Sequence, residues 1–403
     1  MSFKRHYLLH PVVWLAALGY FVDIYDLLLF SIIRIPSLND IGVENVTGTG
    51  LLILNTQMFG LLLGGILWGV LGDKWGRTRV LFYSIALYSI GNLLNGFVQT
   101  GTQYAIIRFI AGIGLAGELG AGITLVSELL PKNKRGLGTA LVAGFGLTGA
   151  VFAFFISQWF SWRTCYFIGG GMGLLLLTLR MSVFESGLYK QLAEKTHLAK
   201  GNFLMLFNKR ERFIRYLRSI LIGLPTWFVV GILISFSPEF AQHLGIKQPI
   251  DPGKGIMISY SAIAFGDIVI GLLSQQLKSR KKALHIFYLI TISGMAVFFT
   301  ASSPWQLYLS MGIMGFGTGF WAVFVTIGAE NFGTNLRATA ATTIPNMVRG
   351  SLNLISALFL FLTSQISYVN SGILTGVIVM LITYWAISGL QETFGRDLDF
   401  IEE

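Results

Sequence analysis

Apolar runs of about 20 residues recur along the whole chain, and they constrain its fold more than any other feature. Runs of this length cross the hydrocarbon core of a bilayer, which is about 30 Å thick, as α-helices. Only 12% of the 403 residues are charged, about half the fraction of an average globular domain. The alternating segments of about ten residues that build a membrane β-barrel do not occur. The sequence therefore predicts an all-α membrane protein.

The apolar runs predict twelve membrane spans. They cover residues 11–33, 51–71, 80–99, 103–128, 137–159, 164–183, 215–240, 256–277, 284–301, 305–329, 342–364 and 370–390. Of the 29 lysines and arginines, 23 flank the ends of spans that face one side. The other six are Arg34, Arg108, Arg163, Lys247, Lys254 and Arg349.

Cytoplasmic loops carry this excess of basic residues, so we expect both termini in the cytoplasm. Compact loops with this charge pattern are typical of a bacterial inner-membrane protein. The net charge of +10 then reflects topology and contact with anionic lipid, and we expect no nucleic-acid partner.

A polar segment divides the spans into six and six. We predict an N-terminal six-helix bundle at 1–185, a cytoplasmic linker at 186–213, a C-terminal six-helix bundle at 214–391 and a cytoplasmic tail at 392–403. The halves repeat at an offset of 202 residues, which pairs Gly69 with Gly271, Arg79 with Lys281, Glu128 with Glu330 and Arg135 with Arg337. Pseudo-symmetric duplicated bundles are a common transporter architecture.

The loop after span 2 reads GVLGDKWGRTR, residues 69–79. It resembles the loop 2–3 signature of the major facilitator superfamily, G-x-L-x-D-[RK]-x-G-R-[RK], and ELLPKNKRG at 128–136 resembles the superfamily's loop 4–5 element. The resemblance covers the chain and implies the major facilitator fold and alternating access. It also implies a gating cluster that holds the cytoplasmic side closed, formed by Gly69, Asp73, Gly76, Arg77, Arg79, Glu128, Arg135, Glu330 and Arg337. The alternative is that these charges only set topology.

Two stretches indicate a branch of the superfamily. YFVDIYDLLLF, residues 20–30, and the glycine-rich run at 108–120 resemble spans 1 and 4 of its phosphate and metabolite proton symporters. Leu119 and Gly120 stand where those symporters have Tyr and Pro, and that tyrosine is implicated in phosphate binding. The resemblance thus favours proton symport of a small anionic metabolite over inorganic phosphate.

Acidic residues within spans are the candidates for a proton site, because ionisable groups there cost about 2.5–3.5 kcal/mol and usually have a function. Asp23 and Asp26 are three residues apart on one helix face, and Glu118 lies halfway through span 4. Neighbouring carboxylates cannot both ionise cheaply there. We expect this group to couple transport to protons, with Asp23 as the primary site. The alternative is that one of these acids pairs with an arginine for structure alone.

Two arginines within spans, Arg108 and Arg349, predict an anion site, because the guanidinium fork suits a carboxylate or phosphate. The other expected substrate contacts are Asp267, Tyr25, Trp227, Trp321, Asn346 and Asn353. Two alternatives stay open. Arg349 pairs permanently with Asp267 or with an acid of the N-terminal half, and Arg108 reaches the outer interface.

The chain has no G-x-x-x-x-G-K-[ST] loop, no metal-ligand pattern and a single cysteine, so we expect no cofactor, no metal, no ATP drive and no enzymatic activity. The expected partners are a small-molecule substrate, protons and the lipid bilayer, and we expect a monomer. The alternative function is a proton-coupled exporter or facilitator of a siderophore-like or xenobiotic compound. A sensor or structural protein of the same fold is a third.

Overall fold

A computed structural model describes residues 11–75, 77–118, 135–185, 203–395 and 401–402. The N-terminal half contains α1 (Pro11–Asp40), α2 (Val46–Trp75), α3 (Arg77–Asn95), α4 (Gly101–Leu115), α5 (Arg135–Trp159) and α6 (Trp162–Glu185). The C-terminal half contains α7 (Arg210–Leu221), α8 (Leu224–Phe228), α9 (Ser237–His243), α10 (Pro252–Gln276), α11 (Arg280–Phe299), α12 (Pro304–Thr318), α13 (Trp321–Glu330), α14 (Thr334–Gly350), α15 (Leu352–Thr363) and α16 (Tyr368–Ser388).

Ten segments of the described chain are long and apolar enough to cross a membrane. Adding α3 and α4 gives the twelve predicted spans, so the expected all-α membrane architecture is confirmed. The seventh span is composite: α7, α8, the π-helical turn Val229–Ile234 and α9 follow one another. The tenth and eleventh spans also consist of two helices each, α12 with α13 and α14 with α15.

The first span is longer than predicted, since α1 continues to Asp40. The sequence pattern ends this span at residue 33 because a charged residue, Arg34, follows. In the structure the Arg34 side chain is buried and forms an ion pair with Glu239. The charge is neutralised there, so it does not end the buried helix.

The two halves meet mainly along α2 with α14 and α5 with α10. Within the halves, α1 packs along α5, α2 along α4, and α10 and α11 along α12. Glycines permit the closest crossings: a Cβ atom at Gly112 would overlap the backbone of Gln57, and one at Gly315 would overlap that of Ser259. Small residues at helix crossings are typical of membrane bundles.

Spans 4 and 10 are interrupted at equivalent places, although the sequence predicts continuous helices. α4 and α12 are each 15 residues long, and each is followed by a turn. Helix ends leave backbone groups without partners, and a side chain from a neighbouring helix binds at each turn. Asn346 Nδ2 donates to the Ala116 carbonyl at 3.0 Å, and Asp267 Oδ1 accepts from the Ala322 N–H at 2.9 Å.

Candidate substrate and proton site

A small cavity lies between the two halves. Its aromatic lining consists of Tyr20, Trp227, Tyr260 and Trp321, and its aliphatic lining of Ile24, Leu27, Leu147 and Ile263. The remaining lining residues are Thr226, Thr318 and Arg349. The free space is ≈ 20 Å³, which is room for about one water molecule. A metabolite can enter only after the halves move apart.

An ion pair joins the two halves at this cavity. Asp23 on α1 lies 3.6 Å from Arg349 on α14, measured from Oδ2 to Nη2, and both side chains are almost completely buried. Within the described chain, neither carboxylate oxygen of Asp23 has a hydrogen-bond partner, and neither do Nε and Nη1 of Arg349. The pair is therefore held by charge at a long distance, and Arg349 keeps two donors for another ligand.

The second aspartate of the same helix belongs to a different, tighter network. Arg108 Nη1 donates to Asp26 Oδ1 at 2.8 Å and to Asn92 Oδ1 at 3.1 Å. Nη2 donates to the Asp26 carbonyl at 3.0 Å, and Nε donates to Gln57 Oε1 at 3.2 Å. All partners belong to the N-terminal half, and Arg108 is fully buried. Arg108 thus neither reaches the outer interface nor appears in the cavity lining.

Glu118 also has its own arginine. Arg180 on α6 donates from Nη1 to Glu118 Oε2 at 3.0 Å and from Nη2 to Oε1, which makes a bidentate pair. Nη2 also donates to the Leu15 carbonyl of α1 at 3.1 Å. The sequence pattern counts Arg180 among the basic residues that set topology, but its side chain is buried.

Asp267 does not pair with Arg349. Its Oδ1 binds the Ala322 N–H and stabilises the start of α13, while Oδ2 has no partner in the described structure. Of the two pairings considered for Arg349, the structure contains the one with an acid of the N-terminal half, Asp23.

The other predicted contact residues divide into two groups. Trp227 and Trp321 line the cavity, and the indole Nε1 of each is buried without a partner among the described residues. The Tyr25 hydroxyl instead donates to the Cys165 carbonyl at 2.8 Å, where Cys165 is completely buried. Asn346 donates a hydrogen bond to the Ala116 carbonyl in the turn that follows α4.

Asn353 donates from Nδ2 to the Gly350 carbonyl at 3.0 Å and stands outside the lining. The lining residues that were not predicted include Thr226, Tyr260, Ile263 and Thr318. Helical spacing carries a signal for two of them, because Tyr260 and Ile263 precede Asp267 by seven and four residues, on one face of the span.

Comparison with known proteins identifies the family. The sequence profile of the Major Facilitator Superfamily matches residues 16–357, which is most of the chain. The chain belongs to this superfamily. Its members are transporters, not enzymes.

Two curated relatives illustrate the sequence similarity. The sialic acid transporter NanX of Escherichia coli is 31% identical over 259 residues, which cover 62% of this chain and 62% of NanX. The niacin transporter NiaP of Acinetobacter baylyi is 29% identical over 187 residues, which cover 45% of this chain and 42% of NiaP. The alignments thus span about two fifths to three fifths of these relatives' lengths.

A solved structure shows the same fold. The inward-open conformation of the xylose transporter XylE from E. coli superposes with a TM-score of 0.74, covering 96% of this chain and 98% of XylE at 16% identity. The major facilitator fold with twelve helices in two bundles is confirmed by this likeness.

The predicted gating cluster is described only in part. Gly76 and Glu128 lie outside the described residues, as do the side chains of Asp73, Arg77 and Arg135. Gly69 on α2 faces Thr343 of α14 across the two halves. Arg79 is exposed, and Arg337 is half-buried near the start of α14. Glu330 pairs within its own half, with Arg280 Nη2 at 3.0 Å.

An ion pair near the end of α1 joins the two halves. The sequence pattern did not predict it. Arg34 Nη1 is 2.7 Å from Glu239 Oε1 on α9, and its Nη2 donates to the Ser235 carbonyl at 3.2 Å. Thr47 on α2 donates to the same carboxylate at 3.1 Å. Glu239 follows a proline in a short helix, and the spacing of apolar residues there does not predict that it faces α1.

Proposed function

We propose that this chain is a secondary active transporter that moves a small anionic metabolite by alternating access, driven by proton symport. The Asp23–Arg349 pair carries the proposal, because it joins the halves at the cavity. In this proposal Arg349 binds the anion and Asp23 binds the proton. Membership of a transporter superfamily and two relatives named for organic acids support it.

The coupling follows from the charges at the site. Without substrate, Asp23 and Arg349 neutralise each other. An anion that binds the free Nε and Nη1 donors of Arg349 competes with Asp23 for the guanidinium. An ionised Asp23 would then be buried without its partner, which costs several kcal/mol, so it takes up a proton. Anion and proton therefore bind together, and the net charge of the site stays constant.

Alternating access requires the contacts between the halves to separate in turn. The Arg34–Glu239 pair closes one end, and the Asn346–Ala116 hydrogen bond lies toward the other. We place the second end, where the basic residues flank the spans, in the cytoplasm. A bacterial inner membrane fits this orientation and the bacterial relatives.

Transport in proteoliposomes tests the proposal. With a gradient that is acidic outside, wild-type protein should accumulate a labelled organic anion against its concentration gradient. Asp23→Asn should lose this accumulation but retain exchange of labelled for unlabelled anion, because exchange needs no net proton movement. Arg349→Gln should lose both activities, since the anion has no cation to bind.

The matched control is Glu44→Gln, which removes an exposed carboxylate from the connection between α1 and α2. This variant should transport like the wild type. Proton symport is refuted if wild-type uptake ignores the pH gradient, an outcome that instead supports the facilitator alternative. Gradient-driven accumulation that survives Asp23→Asn refutes Asp23 as the proton site.

A further inference from the structure

The cavity contains one cationic side chain, Arg349, among its described lining residues. One guanidinium balances one carboxylate. A second carboxylate on the same ligand would be buried without a cation, which is strongly unfavourable. The charge of the cavity thus selects a monocarboxylate over a dicarboxylate.

Most of the remaining lining is apolar. Four aromatic and four aliphatic side chains surround the space, and the hydroxyl groups in the lining are those of Thr226, Thr318, Tyr20 and Tyr260. A ligand with hydroxyl groups on all sides would place some of them against the aliphatic walls, where they would lose their hydrogen bonds to water. A flat, apolar ligand fits between aromatic side chains, which favour stacked or edge-on contacts.

The Thr226 hydroxyl has no partner in the described chain, and neither do two indole donors on these walls, Nε1 of Trp227 and Nε1 of Trp321. The two tryptophan side chains are 3% and 9% exposed. An indole N–H can donate and cannot accept, and a buried donor left without an acceptor is costly. The free space holds about one water molecule, and a bound ligand would displace it. The unpaired donors therefore call for a ligand with an acceptor besides its carboxylate.

These observations point to one class of occupant. We infer that the cavity binds a planar, largely apolar monocarboxylate with one further hydrogen-bond acceptor and no cationic group. The inference rests on the proposed function, since Arg349 serves as its carboxylate site. The donors lie on α8, α13 and α14, so the C-terminal half holds the substrate while Asp23 of the N-terminal half takes the proton.

Calorimetric titration of the purified protein with matched ligands tests the inference. Nicotinate and isonicotinate differ from benzoate by one ring nitrogen, an acceptor, in place of C–H. At least one of the two should bind more tightly than benzoate. Trp227→Phe or Trp321→Phe keeps an aromatic ring but removes the N–H. The variant should weaken binding of that pyridine carboxylate by about 5- to 10-fold, because one hydrogen bond to a buried donor is lost. Benzoate binding should change less than about twofold, and it shows that the variant is folded.

The matched control is Trp305→Phe, because Trp305 is 64% exposed at the start of α12 and should leave both affinities unchanged. The inferred class of ligand is wrong if succinate, gluconate or phenylalanine binds more tightly than all three planar acids. Proton-driven uptake of that ligand, lost in Asp23→Asn, would then still support the proposed function. The inference of a second acceptor is wrong if neither tryptophan variant weakens the binding of the pyridine carboxylates more than the binding of benzoate. If no anion shows Asp23-dependent uptake, the proposed function itself fails.

Discussion

Two aspartates on α1, three residues apart and equally buried, form different kinds of ion pair. Asp26 lies 2.8 Å from Arg108 within the N-terminal half, and every nitrogen of that guanidinium is hydrogen-bonded. Asp23 lies 3.6 Å from Arg349 of the other half, and two guanidinium nitrogens have no partner in the described structure. Burial alone therefore does not distinguish these two kinds of ion pair.

The difference lies in what each arginine could still bind. Arg108 has used its donors, so it fixes α1 against α2, α3 and α4. Arg349 has donors to spare and faces the cavity. A buried pair that is well hydrogen-bonded is costly to break, whereas one that is long and poorly hydrogen-bonded can exchange partners at lower cost.

The largest expected effect is on folding, at Arg108. Arg108→Gln leaves Asp26 buried without its cation, and we expect about 3–5 kcal/mol of destabilisation. Equilibrium unfolding in mixed detergent micelles measures this. Arg349→Gln is the comparison variant and should cost clearly less, because few hydrogen bonds are lost. Equal costs for the two variants would contradict the distinction between the pairs.

Removing both charges of the tight pair should restore part of the stability. Asp26→Asn combined with Arg108→Gln leaves no buried net charge, so we expect it to recover about 1–3 kcal/mol relative to Arg108→Gln alone, an interaction energy typical of residues in contact. The same unfolding assay applies. A double variant no more stable than the single one would show that hydrogen-bond geometry, and not charge, dominates this network.

Glu118 is expected to behave like Asp26 and unlike Asp23. Glu118→Gln removes the charge from a bidentate pair with Arg180, and hydrogen bonds to charged groups contribute about 1.5–3 kcal/mol each. We expect a loss of stability of that size, with transport in proteoliposomes still driven by the pH gradient. A stable variant that has lost proton coupling would instead move Glu118 into the proton pathway.

The smallest effect is expected at the surface. Glu392 follows α16 and accepts hydrogen bonds from Ser279 and from the Arg280 and Lys281 N–H groups at the start of α11. Partial burial opposes its ionisation, but these hydrogen bonds outweigh burial, so the pKa of Glu392 lies below its ordinary value.

A carboxylate with a lowered pKa stabilises the fold above its ordinary value of 4.5, and this contribution disappears as the pH falls through the lowered value. Glu392→Gln should therefore lower the Tm at neutral pH, and the difference from wild type should shrink below about pH 4.5. Thermal scans across pH measure it. A difference that persists at low pH would show that packing, and not ionisation, is responsible.

The sequence predicted the twelve spans, and three of its candidate substrate contacts, Trp227, Trp321 and Arg349, line the cavity. Hydrophobic length and helical spacing carry this information because each is local along the chain. The partners of buried charges were not predictable. Asp26 with Arg108, Glu118 with Arg180 and Arg34 with Glu239 each join residues that are 62 or more positions apart. The turns after α4 and α12 were missed because glycines there also fit a continuous packed helix.

Cys165 offers a practical route to observing the motion. It is the chain's one cysteine, and its side chain is completely buried near the start of α6. A thiol without solvent access reacts slowly with alkylating reagents. Cysteines introduced in pairs at exposed positions, one in each half, would therefore take up spin or fluorescent labels selectively. Interhalf distances then become measurable in an otherwise unaltered protein, with and without a bound acid.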